Sequence, residues 1–317
     1  MITEYFDIEG VQTENIINFP DQTDLVYDGN SKLSDIQYPD DELELLVGVE
    51  SALYSYSIDG GQTWLENVNL VDAGSYKVKL HFIMEDGYAQ IDDVVKNVTI
   101  LPLEFENVWT SSNLSVDFAN RNIIIDDLDD LTLRLSEFGS ELVYGVDYEI
   151  DTTFENNGYL NNFNVGQATL RLKSLNPNFS GTKLIQFSIN PLDLSEKVLF
   201  NDFQEEWIFN GKDIEPTFSL SYNGLNLVKD TDYIVEYSNN KFAGTGNVNI
   251  SFSNNYCGYD AKSFTIKPFE LDISCLEFED ETFVYNATEQ KIEISDSSLG
   301  TLIYNIDPVF AKMLFNQ

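Results

Sequence analysis

The sequence predicts an all-β chain folded as tandem β-sandwich modules, and three observations predict it. Composition favours strands: 43% of the 317 residues are hydrophobic and 13% aromatic, with 22 Phe and 17 Tyr, types that fit a pleated, half-buried surface. Many short runs alternate apolar and polar residues, as in Tyr76-Lys-Val-Lys-Leu-His-Phe82, the pattern of a strand with one buried face. A nearly constant phrase then closes three segments: Val98-Thr-Ile-Leu-Pro-Leu-Glu104, Phe187-Ser-Ile-Asn-Pro-Leu-Asp193 and Phe264-Thr-Ile-Lys-Pro-Phe-Glu270. Self-similarity at this spacing marks a repeat architecture.

The closing prolines, Pro102, Pro191 and Pro268, lie 89 and 77 residues apart. A proline cannot donate to a ladder, so each phrase reads as a strand, a stop and a short stiff linker. The expected modules are therefore 1–101, 102–190 and 191–267, with 268–317 an incomplete fourth module or a C-terminal extension. The first opens at the turn Val26-Tyr-Asp-Gly29 and includes the alternating strand from Tyr76 to Phe82, which turns His81 and both lysines outward. In the second, Arg134 and Arg171 point outward from Leu131-Thr-Leu-Arg-Leu135 and Leu170-Arg-Leu172. Trp109-Thr-Ser-Ser112 stands where its aromatic turn is expected. The third repeats the second in register: Asn239-Asn240 and Ala243-Gly244 match Asn161-Asn162 and Val165-Gly166, and Asn255-Tyr-Cys-Gly258 matches Asn178-Phe-Ser-Gly181. Asn and Gly at fixed offsets supply turns. Roughly six to eight strands per module, and no convincing helix, suit a β-sandwich. The fourth segment has 49 residues. It reads as a truncated module, or as half a sandwich completed by another chain's strand.

These landmarks resemble bacterial immunoglobulin-like surface repeats. The third segment carries most of the likeness, in Phe209-Asn-Gly-Lys-Asp-Ile-Glu-Pro216, Asp232-Tyr-Ile-Val-Glu-Tyr-Ser-Asn-Asn240 and Phe264-Thr-Ile-Lys-Pro268. The first, with Val26-Tyr-Asp-Gly29 and Asp72-Ala-Gly-Ser-Tyr-Lys-Val78, is similar to the MBG-type module, one of several related to Gram-positive adhesins and S-layer-like proteins. The resemblance implies immunoglobulin-like sandwiches in an elongated rod, secreted and held at the cell surface in association with the cell wall. Its motifs are structural and name no ligand.

Charge restricts the partners. There are 54 acidic residues against 17 basic ones, a formal net charge of −37, which repels phosphate backbones and anionic lipids. No nucleic-acid partner is expected. No run of 18 apolar residues occurs, so the chain is not expected to be membrane-embedded. Met1–Pro20 lacks the basic and apolar regions of a signal peptide. The two cysteines, Cys257 and Cys275, fall on separate strands too far apart to bridge, and are expected as free, buried thiols.

Candidate chemistry is sparse. Ser57-Ile-Asp-Gly-Gly-Gln-Thr-Trp64 fits the Asp-box pattern of sialidases, but it occurs once and reads as a hairpin in which Asp59 caps a glycine turn over Trp64. His81 is the sole histidine, so neither a nucleophilic triad nor a typical zinc site can be assembled. Acidic clusters at 39–44, 126–130 and 277–281 are the remaining candidates. Asp126, Asp127, Asp129 and Asp130 form the candidate calcium set, read against a plain solvated charge run because the ligand spacing of a calcium loop is missing. No cofactor is otherwise expected, and the chain is expected not to be an enzyme. The expected role is a stalk or adhesive segment of a bacterial adhesin, with a host glycan, a matrix protein or neighbouring copies as partner. Two alternatives stay open: a self-assembling surface fibre or S-layer-type protein, and accessory modules of a secreted glycan-degrading enzyme.

Overall fold

The computed structural model describes residues 17–270 and the strands Leu276–Phe278, Ile294–Asp296 and Gly300–Leu302, which form a small antiparallel sheet. The chain is all-β, and its only α-helix among the described residues is the single turn Asp40–Leu43. It gathers into two compact units. Of the described residues, one holds those up to Val116, Asn122–Asn162 and Gly166–Ile189; the other holds Asp117–Arg121, Phe163–Val165 and those from Asn190 onward.

The first repeat builds one four-stranded sheet from β1 (Gln22–Val26), β2 (Val49–Ser57), β3 (Gly74–Met84) and β4 (Val94–Leu101), in the order β1-β4-β3-β2. β1 runs parallel to β4, and the other pairs are antiparallel. Alternation sets the faces as expected. Val78, Leu80 and Phe82 of β3 are fully buried with Val98 and Ile100 of β4, while His81 faces solvent. The strand count is lower than expected, because short helical turns and irregular backbone between β1 and β2 take the place of further strands. Ile36, Leu33 and Leu43 from that segment close over the sheet with Phe19 and Leu70. Its Pro39-Asp-Asp-Glu stretch has poor strand propensity, and its acids suit the start of a helical turn.

The second repeat follows a linker strand, β5 (Leu103–Glu104). β6 (Trp109–Thr110) pairs with β8 (Leu133–Arg134), and a larger sheet holds β7 (Ser115–Asp117), β9 (Tyr148–Ile150), β10 (Tyr159–Leu160), β11 (Gly166–Ser174) and β13 (Thr182–Asn190). The short β12 (Phe179–Ser180) interrupts the β11–β13 hairpin and pairs with β5. After the linker strand β14 (Leu192–Asp193), the third repeat sets β15 (Leu199–Asn201), β17 (Ser219–Tyr222) and β18 (Leu225–Asn226) in one sheet. β16 (Glu206–Ile208), β19 (Tyr233–Ser238), β20 (Gly244–Phe252) and β22 (Tyr259–Lys267) form the other, and β21 (Tyr256–Cys257) pairs with β14.

One device recurs in all three repeats. An aromatic residue at the end of an early strand donates its N–H to the carbonyl just before the closing proline. Tyr27 bonds Leu101, Phe118 bonds Asn190 and Phe209 bonds Lys267, each at 2.9 Å. Two residues on, the backbone turns left-handed at Gly29 (φ 83°), Asn120 (φ 54°) and Gly211 (φ 79°), where Gly and Asn are the least strained choices. This corrects the second repeat: its aromatic turn is Phe118-Ala-Asn120, not Trp109-Thr-Ser-Ser112. Trp109 lies instead in β6, with the Arg134 guanidinium 5.7 Å from its ring.

Candidate functional site: the joints between repeats

The residues at which one repeat meets the next form a polar arrangement that recurs. In the first joint, Asn178 sits at the tip between β11 and β13. Its side-chain oxygen accepts the Ala73 N–H at 2.7 Å, and its amide nitrogen donates to Asp72 Oδ1 at 2.8 Å. Its own carbonyl accepts the N–H of Leu103, the residue directly after Pro102, at 3.0 Å. Phe179 lies edge-on to Tyr27, with ring centroids 5.5 Å apart at 86°, and β12 pairs in parallel with the linker strand β5.

The second joint repeats this bond for bond. Asn255 Oδ1 accepts from Val165 N at 3.0 Å, and Nδ2 donates to Asn164 Oδ1 at 3.2 Å. The Asn255 carbonyl accepts the Leu192 N–H at 3.0 Å, and β21 pairs in parallel with β14. Tyr256 stands edge-on to Phe118 at 5.5 Å and 89°. Gly258 (φ 98°) closes the turn, and a Cβ there would collide with the Ser195 and Asp193 side chains. Each joint thus combines a two-ended amide clamp, an edge-to-face ring pair and a linker strand held by backbone bonds. Such ring pairs contribute about 0.5–1.5 kcal/mol beyond their buried area, and each neutral hydrogen bond about 1 kcal/mol net. The arrangement ties each Asn turn to its own linker strand and to the residues that precede the long strand of the repeat before it.

The sequence-predicted candidates lie elsewhere. Asp126 and Asp127 occupy a 3-10 turn, Ile125–Asp127, and Asp127 Oδ2 accepts the Ile124 N–H at 2.9 Å, while Asp129 and Asp130 follow in the loop. Among the described residues, no three His, Cys, Asp or Glu side chains gather to hold a metal ion. The acidic run 277–281 lies outside the residues whose side chains are described. His81 Nδ1 meets Asp93 Oδ1 at 2.7 Å on the open face of β3. Arg171 is held by Asp151, 2.7 Å away, and lies over the Phe154 ring at 4.6 Å, so this outward residue is engaged by its own repeat. The Asp box forms a closed hairpin turn. Asp59 accepts from the Gln62 and Thr63 amides and from the Ser57 and Thr63 hydroxyls, at 2.7–2.9 Å. These bonds hold its carboxyl well below the usual carboxylate range. Trp64 packs under the Lys79 ammonium, 4.6 Å away. Cys257 is a free thiol but partly exposed rather than buried, because β21 lies on the linker strand at the repeat's edge, with Sγ 3.6 Å from the Pro191 carbonyl. Cys275 lies outside the described residues.

Both Asn turns are visible in the sequence as a recurrence, but their role is not. Asn178 reaches a partner 106 residues away and Asn255 one 91 residues away. The signal that points to them is the pairing of each turn with an Ala/Val-Gly step one repeat earlier.

No protein-family model and no curated protein matches the sequence. Among solved structures, the S-layer protein rSbsC is similar over 77% of this chain and 41% of its own, at 14% identity and a TM-score of 0.22. Mouse clustered PcdhgC3 is similar over 76% of this chain and 95% of its own, at 8% identity and a TM-score of 0.23. An endo-fucoidan hydrolase of glycoside hydrolase family 107 is similar over 70% and 39%, at 11% identity and a TM-score of 0.17. The chain spans less than half the length of the S-layer structures it matches. Likeness at these scores carries no argument about function, which therefore rests on the joints.

Proposed function

We propose that the chain is a non-catalytic surface segment of a bacterial extracellular protein, whose repeats are coupled in fixed register as a stalk or adhesive region. The observation that carries this reading is the duplicated joint. A chain whose work is to hold or present something at a distance gains from joints that do not swivel, and here the same clamp, ring pair and linker strand occur twice. Short linkers and many backbone bonds leave few free torsions at each joint. The acidic surface supports the same reading, since a net charge of −37 keeps chains apart and disfavours nucleic acid. No helix among the described residues is long and apolar enough to cross a membrane. An adhesive contact with a host glycan or matrix protein belongs on the loops that the joints leave free.

The test is surface labelling. Antibodies raised against the purified chain are expected to stain intact, unpermeabilised cells of the source bacterium, with the signal lost on deletion of the gene. Staining only after permeabilisation, or glycan hydrolysis by the purified chain, overturns the proposal.

A further inference from the structure

Both joints follow one rule: an early repeat supplies the seat, and the next repeat supplies the Asn-aromatic-small-Gly turn. The seat has three parts, namely an aromatic ring after an early strand, a free N–H just before the glycine that opens the long strand, and a closing proline with its linker. The third repeat carries all three. Phe209 occupies the place of Tyr27 and Phe118, fixed by the same bond to the carbonyl before the proline. Ala243-Gly244 occupies the place of Ala73-Gly74 and Val165-Gly166, and Gly244 opens β20 with φ 143°, close to the 133° of Gly166. Pro268 and Phe269-Glu270 follow as Pro102 and Leu103-Glu104 do. A cavity of about 410 Å³ opens over residues 239–245, and among the described residues nothing accepts the Ala243 N–H.

We propose that this end of the third repeat is a docking seat for the Asn-aromatic-small-Gly turn of one further repeat of the same kind, joined after Pro268. In both joints the turn that docks belongs to the repeat whose linker strand it pairs with, so the occupant is a repeat joined directly after Pro268. Its turn follows the closing proline by 76 residues in the first joint and 64 in the second. Residues 269–317 contain no Asn followed by an aromatic, so a test has to supply the turn. The seat differs at one point. Phe242, 52% exposed, stands where Asp72 and Asn164 accept the clamp's amide protons. A ring cannot accept in that way, so this joint keeps one end of the clamp and adds apolar contact. The proposal goes beyond the surface reading and does not depend on where the chain works.

The test inserts a copy of residues 192–268 between Pro268 and Phe269 of the full chain, which brings the Asn255–Gly258 turn one repeat further along. Amide hydrogen exchange is then followed at Ala243, with Val165 as the occupied reference in the same sample. Exchange at Ala243 is expected to slow by about tenfold or more, and Asn→Ala at the inserted copy of Asn255 is expected to reverse it. A protected inserted repeat that leaves Ala243 unchanged overturns the proposal. An inserted repeat that does not fold at that position overturns it equally, since docking there is what the seat provides.

Discussion

Lys96 is the least expected residue in the first repeat: an ammonium on β4 with 1% exposure. Its Nζ donates to the Gln37 carbonyl at 3.1 Å and lies 4.2 Å from the Phe19 ring centroid. Burial disfavours its charged form and lowers its pKa, and Asp21 opposes this only in part. The unfolded chain then binds more protons than the folded one between the depressed value and the ordinary 10.5. Stability contributed by Lys96 is therefore smallest while it is charged, and it rises with pH through that window. In Lys96→Met the rise is absent. The stability difference between the two proteins is expected to move in favour of lysine as the pH rises toward 10.5, as read by urea denaturation. A parallel pH response in both proteins would show that Lys96 is not desolvated. Asp59 makes the opposite case, an exposed carboxylate whose pKa is lowered by four donors. Its contribution is present above the ordinary carboxylate range and is lost as pH falls through its own lower value. Side-chain NMR is expected to find Asp59 still ionised at about pH 3, where an ordinary aspartate is mostly protonated. The hairpin at Asp59 was legible in the sequence, because a motif of eight neighbours carries all its partners. Lys96 was not, because alternation places a residue on a face without saying what lies over that face.

At the scale of elements, the joint predicts different outcomes for one substitution at two equivalent sites. Asn178→Ala and Asn255→Ala each remove both clamp bonds, and each is expected to cost about 1–2 kcal/mol of stability. Asn→Asp separates them. An aspartate at 178 keeps the bond from Ala73 N but sets its carboxylate against Asp72, whereas at 255 it faces the neutral Asn164. Like charges at hydrogen-bond distance repel by about 1 kcal/mol in water and more where water is excluded. Asn178→Asp is therefore expected to destabilise more than Asn178→Ala, and Asn255→Asp less than Asn255→Ala. Equal losses for all four in thermal denaturation would mean that the amides do not clamp. The closing strands, the Asn turns and the faces of β3 were legible in the sequence, since alternation and turn chemistry are local. The aromatic turn of the second repeat is hidden because Asn120 stands where Gly29 and Gly211 mark the other two, although Phe118 follows Pro102 by 16 residues much as Phe209 follows Pro191 by 18. The clamps have only the recurring Ala/Val-Gly step to mark them, since their partners lie a full repeat away.

At the scale of the whole molecule, charge decides between a chain that stands alone and one that assembles with copies of itself. At pH 7 the chain carries −37, and its isoelectric point is about 4.1. Salt and acid remove the repulsion in different ways. Salt of 0.5 M shortens the screening length to about 4–5 Å but leaves every carboxylate hydrated, so it weakens repulsion without creating attraction. Acid near pH 4 neutralises carboxylates on every face and removes both the repulsion and the hydration that keeps apolar side chains such as Leu45, Val47 and Phe138, all strongly exposed, from meeting those of another chain. The stalk reading therefore expects a monomer at pH 7 in both about 0.02 M and about 0.5 M salt, with association only as the pH approaches 4. A self-assembling layer needs faces that match at neutral pH, and it would form large species in about 0.5 M salt at pH 7, where long-range repulsion is screened and specific contacts persist. Sedimentation velocity across this grid distinguishes the two. Growth at pH 7 that salt promotes would replace the stalk by the layer, whereas growth confined to acid leaves the joints, and not lateral contacts, as the interactions that organise the chain.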